Sequence, residues 1–451
     1  MAITEDNMEA PRTLVVGLGV TGLSCVRYLC ARGVSVEACD SRDIPPGLAQ
    51  LKSDYPNVVV ATGDFNAEQF ARAERLIVSP GVPLTESVIR DAMEAGVEVI
   101  GDIELFIREA KAPIIAITGS NGKSTVTTLL GEMAKVAGKG VAVGGNLGIP
   151  VLDLLDDTAE LYVLELSSFQ LELVHSLRAE VAVVLNLSAD HMDRYDSYAD
   201  YVAAKAVVYA KAKNAVVNCD DADAAALAEE EEVIGFTTAE PSGGDFGLRS
   251  INGESWLCHG AEALLPVSGL RIVGQHNVAN VLAALALGHA AGLPMQAMLD
   301  AAKQFPGLPH RTQFVAEING VSWYNDSKGT NVGAVVSALQ GLDRNDASRT
   351  VLIAGGDCKG ASFNELAEMA PAYTRALVLI GRDAQQIADA LPAQLNIQNA
   401  GDMAEAVAAA SAVALPGDRV LLSPACASFD MFKNYIERGE VFMAEVGRLL
   451  Q

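Results

Sequence analysis

Short runs of Val, Ile and Leu recur along the chain, separated by longer stretches whose apolar residues return every three or four positions. TLVVGLG, VSVEACD, NVVVAT, RLIVSPG and VEVIGD read as buried strands joined by helices. That rhythm predicts a parallel sheet. A second block opens at PIIAITGSNGKST and continues through LYVLELSS, VAVVLNLS and NAVVNCD. From about residue 243 to 268 the pattern turns to alternation broken by SGG, NGES and CHGAE, which predicts a few antiparallel strands on the sheet's edge. Helix follows from about His276. A third block, beginning near Pro306, alternates strand and helix through VLIAGGD, ALVLIGR and RVLLSPA. The expected fold is α/β in three domains, residues 1–101, 102–307 and 308–451.

Composition narrows the class. Half of the 451 residues are hydrophobic and 20% are charged, as in a globular α/β enzyme. A net charge of −25 repels polyanions over most of the surface, so nucleic acid and anionic membrane are poor partners. A small anion then needs a locally basic pocket or a divalent cation. Seven cysteines without a CxxC pair argue against a zinc cluster and for inert core thiols in a reducing compartment. The acidic start, MAITEDNMEA, lacks the features of a signal peptide, and no stretch has the roughly 20 apolar residues of a membrane span. A cytosolic monomer is expected. Disorder is expected only at the N-terminal tip, and the acidic AEEEEV at 228–233 reads as a solvated face.

Two glycine-rich loops follow predicted strands. Gly17-Leu18-Gly19-Val20-Thr21-Gly22, with Asp40 ending the next strand, has the dinucleotide spacing. The pattern alone leaves three readings open: a dinucleotide, another nucleotide or phosphate, and a tight turn. The loop Thr118-Gly119-Ser120-Asn121-Gly122-Lys123-Ser124-Thr125 resembles a phosphate cradle, except that G-x-x-x-x-G-K-[ST] requires glycine where Ile117 stands. The free N–H groups of the following helix can still face an anion, with Lys123 beside the outer phosphates and Ser124 offering its hydroxyl to magnesium.

TGSNGKST at 118–125, ELSSFQLE at 165–172, NLSADHMDRY at 186–195, AAK at 203–205, GQHNVAN at 274–280, PHR at 309–311, NDSKGTN at 325–331 and SPACASFDMFKNYIERG at 423–439 occur in this order. Taken together they resemble the Mur ligases, and the last points to the D-glutamate-adding branch. The resemblance implies a Rossmann-like first domain, a central P-loop ATPase-like sheet and a Rossmann-like third domain. It implies ATP-driven amide formation between UDP-N-acetylmuramoyl-L-alanine and D-glutamate, through an acyl phosphate and a tetrahedral intermediate, in cytoplasmic peptidoglycan precursor synthesis. Cations must then surround the meeting of two anions.

The family's roles fall on these positions as follows. Gly119, Ser120, Asn121, Gly122, Lys123, Ser124 and Thr125 hold ATP phosphates; Asn277, Asn280, His310, Arg311 and Asp326 hold purine and ribose, with Lys328 nearby. Ser124 and Glu165 bind magnesium, His191 stands near a second ion, and Lys205 carries a carbamate that makes it a metal ligand. Lys123, His191 and Lys205 are the expected catalytic residues. The GLGVTG loop becomes a UDP site, with Val20 and Thr21 at the diphosphate, Asp40 and Ser41 toward uridine, Gly81 lining it and Asn146 at the sugar-linked part. Thr330, Lys359, Ser423 and Phe429 are expected to hold D-glutamate. One position departs from the family: Gly329 stands where alanine is usual, which is expected to loosen that loop. The third domain is expected to swing in and exclude water.

Three rivals remain. A nucleotide-dependent dehydrogenase would use GLGVTG and leave the 118–125 loop idle. A P-loop ATPase without ligase activity would hydrolyse ATP with no amino acid present. A ligase of the same family for another amino acid would share everything except the third-domain site.

Overall fold

The computed structural model describes residues 12–192, 194–228, 233–343 and 347–450. The N-terminal tip and most of the acidic run at 228–233 lie outside them. Among the described residues the strands form three sheets. In the first, β1 (Thr13–Val16), β2 (Val36–Asp40), β3 (Val59–Thr62), β4 (Arg75–Val78) and β5 (Glu98–Ile100) pair in parallel, in the order 3-2-1-4-5. The order reverses beside β1, so the GLGVTG turn opens into the crevice where such sheets bind ligands.

The second sheet contains β6 (Ile114–Thr118), β7 (Val141–Gly145), β8 (Leu161–Glu165), β9 (Val181–Val184), β10 (Ala215–Asn218), β11 (Val233–Phe236), β12 (Phe246–Ile251), β13 (Glu254–His259) and β14 (Glu262–Pro266). Its order is 14-13-12-11-10-9-6-8-7. Strands β6, β8 and β9 are buried at every residue, which is why they read as continuous apolar runs. The antiparallel extension is β12 to β14, paired Phe246 with His259 and Trp256 with Pro266. Helices Lys123–Val136 and Gln275–Ala290 close one face over Ile115, Val163 and Val183. The other face shares one core with the first sheet, where Phe106 and Tyr162 meet edge to face at 4.9 Å.

The third sheet joins β15 (Gln313–Ile318), β16 (Val321–Asn325), β17 (Thr350–Gly355), β18 (Thr374–Ile380), β19 (Ile397–Asn399) and β20 (Arg419–Leu422), in the order 15-16-20-17-18-19. All pairings are parallel except β15 with β16. Five of these twenty strands, β7, β11, β15, β16 and β19, are additions to the sequence reading. β16 is instructive: VSWYN carries a serine and an asparagine yet is buried at every residue. Its Asn325 can be buried because its amide donates to His310 Nδ1 (2.9 Å) and its oxygen accepts from the Ser327 N–H (3.1 Å).

The cysteines are all free, but not all in the core. Cys219 is exposed, which corrects that expectation. Among the described residues no helix is long and apolar enough to cross a membrane.

Candidate functional site

The loop after β6 turns sharply into the helix Lys123–Val136, and Gly122 caps that helix at φ 82°, in the left-handed region. A Cβ on Gly122 would stand 2.4 Å from Asn280 Oδ1. The departure from the usual glycine spacing therefore leaves a formed cradle. Lys123 folds back over it, its Nζ donating to the carbonyls of Gly119 (2.7 Å) and Ser120 (2.9 Å). Lys205 reaches the same Gly119 carbonyl from the helix Tyr198–Ala206, at 3.0 Å. Burial lowers the pKa of both amines, and for Lys205 the neighbouring Lys123 charge lowers it further, well below the ordinary lysine value.

Ser120 ties this cradle to two other elements. Its hydroxyl donates to Ser188 O (3.0 Å) and accepts from Ser188 N–H (2.9 Å). With its one proton spent, it must accept from Tyr201, whose hydroxyl oxygen lies 2.8 Å away. The Tyr201 ring sits 4.7 Å from Lys205 Nζ. Asn121 is held in turn by Asn186, which accepts from its backbone N–H at 2.8 Å. Tyr201, Ser188 and Asn186 were not singled out from the sequence. Asn186 and Ser188 lie within NLSADHMDRY, and Tyr201 is one turn before Lys205.

Glu165, at the end of β8, is buried; one carboxylate oxygen accepts from Asn146 Nδ2 at 2.7 Å. The other, Oε2, has no partner among the described residues. A buried carboxylate oxygen left orphaned is suited to a cation. Ser124 Oγ accepts from Arg311 Nη2 at 2.7 Å, so it too presents an oxygen at the cradle. Among the described residues no group of three or more His, Cys, Asp or Glu could hold a metal. Magnesium needs no such cage, since it takes one or two protein oxygens together with phosphates and water. The residues present fit it. His191 is half exposed, at φ 59°, with its N–H on Asp190 Oδ1 (2.9 Å).

A cavity of about 570 Å³ opens beside the cradle, lined from the second sheet's side by Asn121, Asn277 and Asn280 and from the third's by Arg311, Asp326 and Lys328. Asn280 Nδ2 donates to Asn277 Oδ1 at 3.3 Å. Asp326 is buried, accepting from Thr312 N–H (2.9 Å) and Ser423 Oγ (2.7 Å), and burial raises its pKa to about 6. Lys328 lies 4.0 Å from the Tyr435 ring centroid, and desolvation lowers its pKa to about 8. His310, buried at φ 62°, turns its Nδ1 to Asn325 and its backbone carbonyl to Lys328 N–H (3.1 Å). Asn331 closes the seam, its amide donating to Asn121 Oδ1 (3.3 Å) and Asp190 Oδ2 (3.1 Å).

Thr330, Lys359 and Phe429 are exposed, whereas Ser423 is fully buried with its hydroxyl committed to Asp326. Gly329 does not loosen its loop. Its N–H donates to Asp326 O and its carbonyl accepts from Ala425 N–H, while a Cβ would stand 2.5 Å from Asp326 Oδ2 and 2.7 Å from Ser423 Oγ. Around the first loop, Val20, Ser41 and Gly81 are exposed and Thr21 is half-buried. Asp40 spends both oxygens inside the protein, accepting from Leu18 N–H (2.7 Å) and from the Arg42 guanidinium (2.6 and 2.8 Å). A dinucleotide's ribose would have to compete for that carboxylate, which weakens the dehydrogenase reading.

Comparison with known proteins decides the family. Residues 11–101 match the Mur ligase MurD-like N-terminal domain, 117–288 the Mur ligase middle domain and 310–426 the Mur ligase glutamate ligase domain. The chain belongs to the Mur ligase family. It is 53% identical over 434 residues to a UDP-N-acetylmuramoylalanine--D-glutamate ligase of Marinobacter nauticus, covering 96% of this chain and 97% of that one. It is likewise 53% identical over 437 residues to the enzyme of that name from Pseudomonas aeruginosa, covering 97% and 98%. Among solved structures, UDP-N-acetylmuramate-alanine ligase from Thermotoga maritima superposes at TM-score 0.60 with 17% identity, over 97% of this chain and 99% of that one. A pseudomurein peptide ligase type C from Methanothermus fervidus gives 0.57 with 18% identity, over 91% and 96%. These two share the three-domain Mur ligase fold.

Proposed function

We propose that this Mur ligase joins D-glutamate to UDP-N-acetylmuramoyl-L-alanine, converting ATP to ADP and phosphate, in peptidoglycan precursor synthesis. The observation that carries the reading is the 53% identity, over 96% of the chain, to a relative bearing that activity in its name. The cradle supports the chemistry. Lys123 and Arg311 bring cationic groups to the loop that a triphosphate would occupy. Gly119 to Thr125 cradle the phosphates, and Asn277, Asn280, Asp326 and Lys328 receive the nucleoside in the adjoining cavity, with His310 behind them accepting from Lys328 N–H. Val20, Thr21, Ser41, Gly81 and Asn146 serve the UDP-linked acid, and Asp40 acts indirectly, ordering that site by accepting from Leu18 N–H and the Arg42 guanidinium. Thr330, Lys359 and Phe429 face D-glutamate, and Ser423 acts through Asp326. The domains divide near residues 101 and 307, and a single chain supplies every candidate residue, as a monomer in the cytosol.

The carboxylate oxygen of the UDP-linked acid attacks the γ-phosphorus, and the bond to the bridging oxygen breaks with its electrons leaving on ADP. Lys123 and Arg311 offset the charge that gathers on the transferring group. The neutral amine of D-glutamate then attacks the acyl carbon, and phosphate departs from the tetrahedral intermediate, taking up the proton that the amine gives up. Ser124 and Glu165 would hold magnesium, with a second ion near His191 and Lys205, and that metal would supply charge neutralisation for the phosphates. Lys205 carries a carbamate. In support, its amine is buried, and among the described residues it pairs with no carboxylate, an expensive place for an ammonium. Protein equilibrated with ¹³C-bicarbonate should show a carbamate carbon signal that Lys205→Arg abolishes; an unchanged spectrum removes this assignment.

Phosphate release decides the reaction. It should require both UDP-N-acetylmuramoyl-L-alanine and D-glutamate. Release without an amino acid would indicate a plain ATPase, and preference for another amino acid would overturn the D-glutamate assignment while leaving the ATP chemistry standing.

A further inference from the structure

Arg194 lies three residues after His191 and reaches from the central domain to the first. Its side chain is only 13% exposed. Nη1 donates to Pro80 O at 2.9 Å and Nη2 to Val82 O at 3.5 Å, so the guanidinium straddles Gly81. Nη2 also meets Glu172 Oε2 at 3.0 Å. The guanidinium carbon stands 4.3 Å from the Phe169 ring centroid, and that ring packs 4.8 Å from the His191 imidazole and 6.0 Å from Tyr195. Arg194 N–H closes the turn onto His191 O at 2.9 Å.

We infer that Arg194 is a positioning residue: it holds His191 in register with the Pro80–Val82 loop, so that seating the UDP-linked acid at that loop sets the reaction centre. The inference rests on the ligase reading above. His191 has a left-handed backbone, unfavourable for a residue with a Cβ, and must be held there by its surroundings. The turn bond and the Phe169 ring do so, and the same guanidinium grips both that ring and the two carbonyls flanking Gly81. Only a planar fork can serve all of these at once; an ammonium can answer the Glu172 charge but cannot span the carbonyls and stack. A latch that merely joined two domains would need the carbonyls and Glu172, and would have no use for the ring that touches His191.

The test uses the full-length enzyme with its three substrates. Arg194→Lys keeps the charge on Glu172, and Arg194→Met with Glu172→Gln removes the pair together, so that neither variant strands a buried carboxylate. In both, KM for UDP-N-acetylmuramoyl-L-alanine should rise at least tenfold and kcat should fall at least tenfold. KM for ATP and for D-glutamate should stay within twofold, and the thermal midpoint should stay near wild type in Arg194→Lys. Phe169→Leu should lower kcat while leaving KM for the UDP-linked acid unchanged, because the loop contacts survive and only the support of His191 is lost. Three KM values rising together with a lowered thermal midpoint would reveal a purely structural latch and overturn the inference. Wild-type kinetics in Arg194→Lys would do the same. A wild-type protein that releases no phosphate would instead overturn the ligase reading, and the inference with it.

Discussion

Replacing Ser120 with alanine deletes three hydrogen bonds, whereas replacing Tyr201 with phenylalanine deletes one of the same three. In Tyr201→Phe, Ser120 keeps both bonds to Ser188 and loses only one accepted proton, a net cost of about 0.5–1.5 kcal/mol. In Ser120→Ala, the Ser188 N–H, the Ser188 carbonyl and the Tyr201 hydroxyl all lose their partner. Buried orphans cost about 1–3 kcal/mol each; Ser188 is half-buried and recovers part from water, so the sum is about 2–5 kcal/mol. The two substitutions share a bond, so the double variant should be less destabilised than the sum of the singles by about 1 kcal/mol. Urea midpoints of the four proteins measure this directly. The expected order is wild type, Tyr201→Phe, then Ser120→Ala, with the double variant close to Ser120→Ala. Additive midpoints, or Ser120→Ala no worse than Tyr201→Phe, would refute the network.

Lys123→Ala should lower kcat by about a hundredfold to a thousandfold with the fold retained, since it removes one preorganised charge at the transferring phosphoryl group; steady-state phosphate release checks it. Gly122→Ala adds backbone strain of about 1–2 kcal/mol and pushes Asn280 aside, so ATP affinity by calorimetry should fall about tenfold; an unchanged affinity would count against the cradle. Asp102 is buried with Oδ1 unpartnered among the described residues, and desolvation raises its pKa from 3.8 to about 6, a gap worth roughly 3 kcal/mol. The folded carboxyl keeps a proton that the unfolded chain has lost, so this group's contribution falls as pH rises from about 4 to about 6 and stays low above. Asp102→Asn should therefore be more stable than wild type at about pH 8 and converge with it near pH 4, by urea denaturation; a pH-independent difference would refute the assignment.

The buried strands and the cradle were legible because each is a local pattern. β6, β8 and β9 announce themselves as apolar runs, and Lys123 and Ser124 as the end of a phosphate loop. β16 hid behind its Asn and Ser, whose burial depends on partners distant in the chain. Tyr201 likewise reads as one more aromatic on a helix until the fold brings it to Ser120, 81 residues away. Glu165 lies at a legible strand end, but its orphaned oxygen, which makes it a cation ligand candidate, appears only in three dimensions. At Gly329 the departing residue was visible, yet its reason, the crowding of Asp326 and Ser423, was not.

The cavity proposed for the nucleotide has walls from two separate sheets, so its shape exists only while they are docked. Part of any apparent affinity for ATP is then spent drawing those walls together, in proportion to how seldom they meet unaided. Asn331, which reaches Asn121 and Asp190 across the join, becomes a remote control on that affinity. Nucleotide binding thus doubles as a gauge of how tightly the two halves of the clamp are shut.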